Sequence, residues 1–370
     1  MTKAEPRYPL NVGFCQECGL VQLMDVVPKE EMFSEYLYYS SASRSISKHF
    51  AEQAKEVAER FPGFVVEIGS NDGTLLRALK QNDVIAVGVE PAKNIAKLAN
   101  DVGLQTINDF FSKDLARRIA DESGHASAII ANNVVAHIDN SHELVESVET
   151  LLAPDGVFIF EVPYLVDLVS KLEYDTIYHE HLSYFAMRPL MELFEMHDMK
   201  IFDVKRLGVH GGSIRVYVRR NNSGSVSGQI AELLMLERRL KLDSPETYSK
   251  FTARIETNKI FLQTLLKLLK DLGKRTVGYA APAKGNVLLN YCDIDTNILP
   301  YTVDTTPAKQ GLYTPGTHIP IYPPQKFRDE QPDYALMLAW NYEQEILAQE
   351  HAYHQKGGKF IIPIPYPRIV

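Results

Sequence analysis

A doubly wound α/β fold, a parallel sheet with helices on both faces, is the architecture this sequence predicts. Three observations carry that prediction. From about residue 63, short runs of continuous apolar character alternate with amphipathic helical periods, as expected of strands buried on both faces. The first of these runs ends in a glycine-bearing turn that opens directly into a helix. Beyond Gly273 the same alternation resumes, after a stretch rich in Asn, Ser and Gly at 221–228.

The elements follow in order. FVVEI (64–68) is the first strand, GSNDG the turn, and a helix starts at Thr74. VIAVGVE (84–90) is the second strand. The helix after it places Pro91 at its first position and stops at Gly103. Its apolar residues Ile95, Leu98, Ala99 and Val102 recur on one face, which packs on a sheet. LQTI (104–107), SAIIA (127–131) and VFIFEV (157–162) continue the parallel set, and runs near 200–205 and 213–219 suit an antiparallel pair closing one edge. Helices are expected at 228–242 and 245–272, the second capped by Ser244 with Pro245 at its first position. RTVGYA, a helix near 285–291, PYTVD, DYALMLA, a helix near 342–352 and KFIIPI form a second, smaller α/β domain.

Composition excludes several classes. At 370 residues with 45% hydrophobic and 23% charged side chains, the chain has enough core for two or three domains. A net charge of −8 without a basic stripe argues against a grip on long nucleic acid. No apolar run reaches ~18 residues, so a membrane span is not expected. Three cysteines cannot build a disulfide framework, and a reduced, cytoplasmic setting is expected.

The strongest chemical signal is EIGSNDGT at 67–74. A dinucleotide fingerprint starting at Gly69 needs glycine where Asn71 and Thr74 stand, so the loop is not built to approach a pyrophosphate. Glu67 on the first strand suits a cationic amino-acid ligand better. Glu90, closing the second strand, is placed to accept from ribose hydroxyls. Asn108 and Phe110 after the third strand are placed to flank an adenine. Asn132 and Asn133 follow the next strand, at the crevice where such sheets bind ligands. Glu67, Gly69, Asn71, Gly73, Glu90, Pro91, Asn108, Phe110, Asn132 and Asn133 are the candidate cofactor residues, and the pattern fits S-adenosylmethionine.

A second cluster is YDTIYHEHLSYF at 174–185, on a loop at the same sheet edge. Histidine there can take a proton near neutrality, and tyrosine hydroxyls can steady an oxyanion. Tyr36 and Tyr38 lie earlier, in a segment that could cover the site or pack as a surface helix. Cys15 and Cys18 form half of a four-ligand zinc knuckle. With Cys292 alone elsewhere, no metal ligands are assigned.

The chain resembles the sugar C-methyltransferases that act on nucleotide-linked, typically dTDP-linked, keto-deoxysugars. The resemblance runs through YPLNVGFCQECGLVQL, YLYYSS, VVEIGSNDGTLL, GVEPAKNIA, YDTIYHEHLSYF, LGVHGGSIRVYV, GYAAPAKGN, YTVDTTPAKQGLYTPGTHIPI and GGKFIIPIPYPRIV, nearly the whole length. It implies a class I, Rossmann-like methyltransferase core with a seven-stranded sheet at 46–222. It also implies a remnant of a zinc-type module and lid at 1–45, and a C-terminal domain helping to hold the nucleotide sugar at 223–370. The family's module uses two CxxC pairs, whereas this chain begins just before the second. Either a start is missing or this member dispenses with zinc.

By resemblance, a proton leaves the carbon beside a ketone and the enolate takes a methyl group from S-adenosylmethionine, leaving S-adenosylhomocysteine. His181 matches the base, with Glu180 beside it to bind the sugar or orient the base. Tyr178, Tyr36 and Tyr38 would stabilise the enolate or clamp the sugar. His179 and His210 are further substrate candidates. Lys284, Asn286 and Lys309 would hold the diphosphate, since a helix N-terminus with a lysine favours one. The expected partner is a small-molecule nucleotide sugar, with no nucleic acid or membrane. Rival readings are a nucleotide-sugar dehydrogenase or epimerase, a non-catalytic nucleotide-sugar binding protein of this fold, and a methyltransferase of RNA or protein.

Overall fold

The computed structural model describes residues 5–221 and 224–370, and the chain divides into two compact units. The first takes in Asn11–Val166 and His179–Asp243. The second takes in Ser244–Val370, Asp167–Tyr178 and the described residues up to Leu10.

In the first unit a short hairpin, β1 (Val12–Phe14) and β2 (Val21–Leu23), precedes the main sheet. The sheet is built from β3 (Val65–Ile68), β4 (Ala86–Val89), β5 (Thr106–Ile107), β6 (Ala126–Asn132) and β7 (Leu152–Pro163). After the short β8 (Ser183–Tyr184) come β9 (Met199–Leu207) and β10 (Ser213–Arg220). The order is β5-β4-β3-β6-β7-β10-β9. Neighbours from β5 to β7 are parallel, and β10 runs antiparallel to both β7 and β9. The expected doubly wound core with an antiparallel edge pair is what forms.

Helix Arg44–Arg60 shows how the sequence closes this core. Ser43 Oγ accepts the N–H of Ile46 at its start, and Ile46, Phe50, Ala54 and Val57 form one apolar stripe against Val65, Ile130, Ile159 and Tyr217. Burying each large apolar side chain contributes roughly 1.5–3 kcal/mol, so Phe50→Ala alone would loosen the helix. Two of its polar residues, both half-buried, also turn toward the sheet. His49 and Glu56 join Glu161 and Arg215 in an ion network, with Glu161 and Arg215 almost fully enclosed.

The sequence does not announce the small sheet β1-β2-β8. Its strands are too short to show a period, and β2 finds its partner far along the chain, pairing Val21 with Tyr184 and Gln22 with Ser183. The Leu23 N–H also donates to Leu182 O at 2.9 Å. The hairpin carrying Cys15 and Cys18 therefore anchors the strand that follows His179-Glu180-His181.

The second unit has β11 (Thr276–Tyr279), β12 (Thr302–Val303), β13 (Ile321–Tyr322), β14 (Tyr334–Met337), β15 (Lys359–Ile362) and β16 (Arg368–Ile369). Their order is β13-β12-β11-β14-β15-β16, all parallel except β16. Tyr279, Phe327, Tyr353 and Phe360 interlock in its core.

Local details depart from the sequence reading. The second βα helix is Lys93–Asp101, not a helix starting at Pro91. Glu90 Oε1 accepts the Ala92 N–H and Asn108 Nδ2 donates to Pro91 O, which holds 90–92 out of the helix. Ser244 precedes helix Pro245–Asp271 without a side-chain cap bond. The helix expected at 342–352 splits into Glu343–Gln349 and His351–Gln355. Helix Gly228–Leu240 groups with the first unit, although the sequence reading draws its boundary at 222/223. Buried Glu237 accepts from Tyr164 Oη and Met187 N at 2.7 Å each, tying that helix to its neighbours. Among the described residues no helix is long and apolar enough to cross a membrane.

Candidate active site

The turn after β3 brings the first group together. Gly69 sits at φ +66°, and a Cβ there would meet Val134 Cγ2 at 2.3 Å, so both conformation and space demand glycine. Gly73, at φ +76°, caps helix Thr74–Gln81. Around this turn stand Glu67, Asp72 and Glu90, all buried. Burial, then repulsion from Glu90 and Asp72, pushes the Glu67 carboxyl well above its ordinary range. Burial also raises Glu90, partly offset by hydrogen bonds from Ala92 and Asn71. Glu67 Oε2 has no partner. A crowded acidic pocket with an unsatisfied carboxylate oxygen is complementary to a cation.

The remaining cofactor candidates separate into two kinds. Asn133, at φ 55°, has a buried Oδ1 without a partner. Asn132 instead pairs its amide with Gln53 at 2.7 and 3.1 Å. Asn108 Nδ2 is taken by the carbonyls of Glu90 and Pro91. Phe110 is half-buried, with Lys29 Nζ 5.3 Å from its ring centroid.

Residues 34–43 run across this turn as a strap. Asn71 Oδ1 accepts from Ser40 N at 2.9 Å and Asn71 Nδ2 donates to Tyr38 O. Asp72 Oδ2 accepts from Ser41 N, and Asn94 bonds the backbone of Tyr36 on both sides. The Asn71 side chain is therefore a latch for the strap. The Tyr36 and Tyr38 segment is bonded to the glycine turn and is not a helix.

The same strap reaches the histidine loop. Tyr36 Oη donates to Glu180 Oε2 at 2.6 Å. Phe33 stacks on His137 with centroids 5.7 Å apart, and His137 faces His181 at 5.1 Å. The Leu182 N–H donates to Ala136 O at 2.8 Å, fixing the two histidine segments side by side. Withdrawal from water, then the neighbouring His181, holds His137 well below the ordinary imidazole range. A cavity of about 120 Å³ borders His137 and Leu182, with Lys29, Glu30 and Asp139 in its wall. Sequence reading missed His137; its only local signal is a position just past β6, at the ligand edge of the sheet. His179 is half-buried beside Glu180. His210 lies in the one-turn helix Val209–Gly211 before β10, whose first residue pairs with Pro163 at the end of β7. Tyr178 groups with the second unit.

In the second unit the proposed diphosphate residues have partners of their own. Lys284 Nζ lies 4.5 Å from the Trp340 ring centroid, and Trp340 Nε1 donates to fully buried Asp175 at 2.6 Å. Burial raises Asp175 and takes Glu173 up to about 7, with Lys284 pulling both the other way. Lys309 Nζ donates to Ala281 O at 3.0 Å, and the Asp304 carboxylate accepts from Ala281 N at 2.7 Å, in the turn before helix Ala283–Tyr291. Asn286 keeps a buried Oδ1 without a partner.

Cys15 and Cys18 lie on the β1–β2 turn, where Gly19 N donates to Cys15 O at 2.9 Å. A hydrogen bond from the Cys18 N–H is the main reason the exposed Cys15 thiol is held below its ordinary range. Among the described residues no group of three or more His, Cys, Asp or Glu side chains could hold a metal. Two thiols do not fit a four-ligand zinc.

Comparison with known proteins gives the family. Residues 40–203 match a family model described as "Methyltransferase domain" and 208–365 one described as "C-methyltransferase C-terminal domain". Residues 1–33 match one described as "Putative zinc binding domain". C-methyltransferase NovU of Streptomyces niveus is 39% identical over 371 residues, covering 99% of this chain and 88% of that protein. Solved structures with some likeness include magnesium protoporphyrin IX methyltransferase of Synechocystis PCC 6803 with bound S-adenosylmethionine. It is 13% identical with a TM-score of 0.36, over 47% of this chain and 79% of that one. A Thermotoga maritima methyltransferase, described as a possible histamine N-methyltransferase, is 19% identical with a TM-score of 0.37, over 47% and 89%.

Proposed function

This chain belongs to the C-methyltransferase family, and from that premise we propose that it methylates the carbon beside the ketone of a nucleotide-linked, typically dTDP-linked, 4-keto-deoxysugar. The enzyme is S-adenosylmethionine-dependent, and Glu67, Glu90 and Asn133 around the glycine turn would hold that cofactor. When bound, S-adenosylmethionine supplies the electrophilic methyl group that the carbanion accepts. The observation carrying the proposal is the His181–His137 and Tyr36–Glu180 cluster, joined by the strap to the acidic glycine turn.

His181 is the general base: it takes the proton from the sugar carbon and becomes charged in doing so. A charged His137 at that separation would oppose the step by roughly 3 kcal/mol at an effective dielectric constant of 20. Keeping His137 neutral removes that opposition. Glu180, oriented by the Tyr36 hydroxyl, accepts a sugar hydroxyl. Tyr38 is the hydroxyl proposed to donate to the enolate oxygen, while His179 and His210 contact the sugar. Asn286 serves the nucleotide in the second unit. Lys284 and Lys309 have partners within their own unit, so the diphosphate reading does not rest on them. A cytoplasmic enzyme with a small-molecule substrate, and neither nucleic acid nor membrane as partner, goes with this reading.

The test is mass spectrometry after mixing the protein with S-adenosylmethionine and a panel of dTDP-4-keto-deoxysugars. A product one methyl replacement heavier, stable to conditions that cleave methyl esters, is expected. Tight cofactor binding with methylation of none of these sugars, but of a protein or an O-linked acceptor, would refute it.

A further inference from the structure

Tyr36 lies in a stretch, 34–39, that belongs to no helix or strand. Both of its backbone groups nevertheless find a partner in one side chain. Its N–H donates to Asn94 Oδ1 at 3.1 Å, and its carbonyl accepts from Asn94 Nδ2 at 2.8 Å. A primary amide is the side chain that can both donate and accept in this way, in the manner of a neighbouring strand. Asn94 sits in the first turn of helix Lys93–Asp101, just after Ala92, whose N–H is held by Glu90 Oε1 at 2.8 Å. Ser34 O accepts from Lys93 N beside it. At the other end, Tyr36 Oη reaches Glu180 at 2.6 Å. A short, continuously bonded path thus runs from Glu90 through Asn94 and Tyr36 to Glu180.

We infer that Asn94 is a positioning residue of the acceptor site: it fixes the backbone of Tyr36, and so where its hydroxyl meets Glu180, without touching substrate or cofactor. This inference rests on the proposed role of the Tyr36–Glu180 pair. A misplacement of about 1 Å in such a pair can cost on the order of 100-fold in rate.

The test compares Asn94→Ala, Asn94→Asp, Tyr36→Phe and Asn94→Ala combined with Tyr36→Phe, using the dTDP-4-keto-deoxysugar that the unmodified enzyme methylates best. Asn94→Ala should lower kcat/KM for the sugar by roughly 10- to 100-fold, while calorimetric affinity for S-adenosylhomocysteine changes less than about threefold. Asn94→Asp keeps the acceptor for Tyr36 N–H and loses the donor to Tyr36 O, so it should fall between. Added to Tyr36→Phe, Asn94→Ala should cost little more, because both act through one hydroxyl. Fully additive losses, or a loss of S-adenosylhomocysteine affinity matching the loss for the sugar, would overturn the inference. A large effect of Tyr36→Phe with none from Asn94→Ala would overturn it and leave the Tyr36 role standing. No effect of Tyr36→Phe on turnover would instead remove the reading on which it rests.

Discussion

Each unit ends a central strand in a turn and then a helix at the point where strand order reverses: β3, between β4 and β6, in the first, and β11, between β12 and β14, in the second. Such points are where ligands bind in open α/β sheets. The two turns are nevertheless opposite in character. The first is ringed by Glu67, Asp72 and Glu90 and keeps acceptors without partners at Glu67 Oε2 and Asn133 Oδ1. The second carries lysines, but Lys284 is committed to Trp340, Asp175 and Glu173, and Lys309 to Ala281 O and Asp304. Topology thus offers two crevices, and side-chain partners decide what each can take.

If the first turn is a cation site, Glu67→Gln should weaken S-adenosylmethionine binding by at least about 2 kcal/mol, since it removes one partner of a buried charge contact. Calorimetry across pH sharpens this. Binding a cation requires ionised Glu67, whose pKa is raised. Affinity in the unmodified enzyme should therefore fall as pH drops through that raised value, and the slope should shrink in the variant to what Glu90, also raised, contributes.

In the second turn the largest effect should be on stability. Lys284→Ala deprives buried Asp175 and Glu173 of the cation that most favours their charged forms, for a loss of about 2 kcal/mol and a lower Tm. Glu173 gives the sign. Its pKa rises from 4.5 to about 7 on folding, mainly by burial. The folded state therefore binds more protons than the unfolded one between those values, and the contribution, complete below 4.5, is lost as pH climbs through 7. Glu173→Gln should flatten the decline in Tm between pH 5 and pH 8 and raise Tm at pH 8. An unchanged profile would mean that Glu173 titrates normally.

The smallest effect concerns adjacent asparagines. Asn133→Ala should weaken S-adenosylhomocysteine by about 1 kcal/mol with little change in Tm, whereas Asn132→Ala should lower Tm and spare affinity. The reverse pattern would exchange their roles.

These contrasts also mark what was legible in the sequence. The core sheet, the glycine turn and Glu90 are written in local patterns: apolar runs, a turn forced by Gly69 and Gly73, and an acid at a strand end. The Tyr36 to His181 cluster was partly visible through residue type. His137 was not, because its place depends on Leu182 meeting Ala136 across the fold. Asn71 reads as part of the cofactor loop until the strap arrives to bond its side chain. Lys284 reads as a phosphate ligand until Asp175 and Trp340, distant in sequence, are brought beside it. Partners contributed from afar, not residue type, are what the one-dimensional pattern leaves out.

The most direct measurement follows the sugar proton. With S-adenosylhomocysteine bound and a dTDP-4-keto-deoxysugar in deuterated water, NMR should show deuterium entering the carbon beside the ketone in the unmodified enzyme. In His181→Asn that exchange should slow by roughly 100-fold or more, with S-adenosylhomocysteine affinity retained. Exchange at the unmodified rate in a folded His181→Asn would contradict the assignment of His181 as the base.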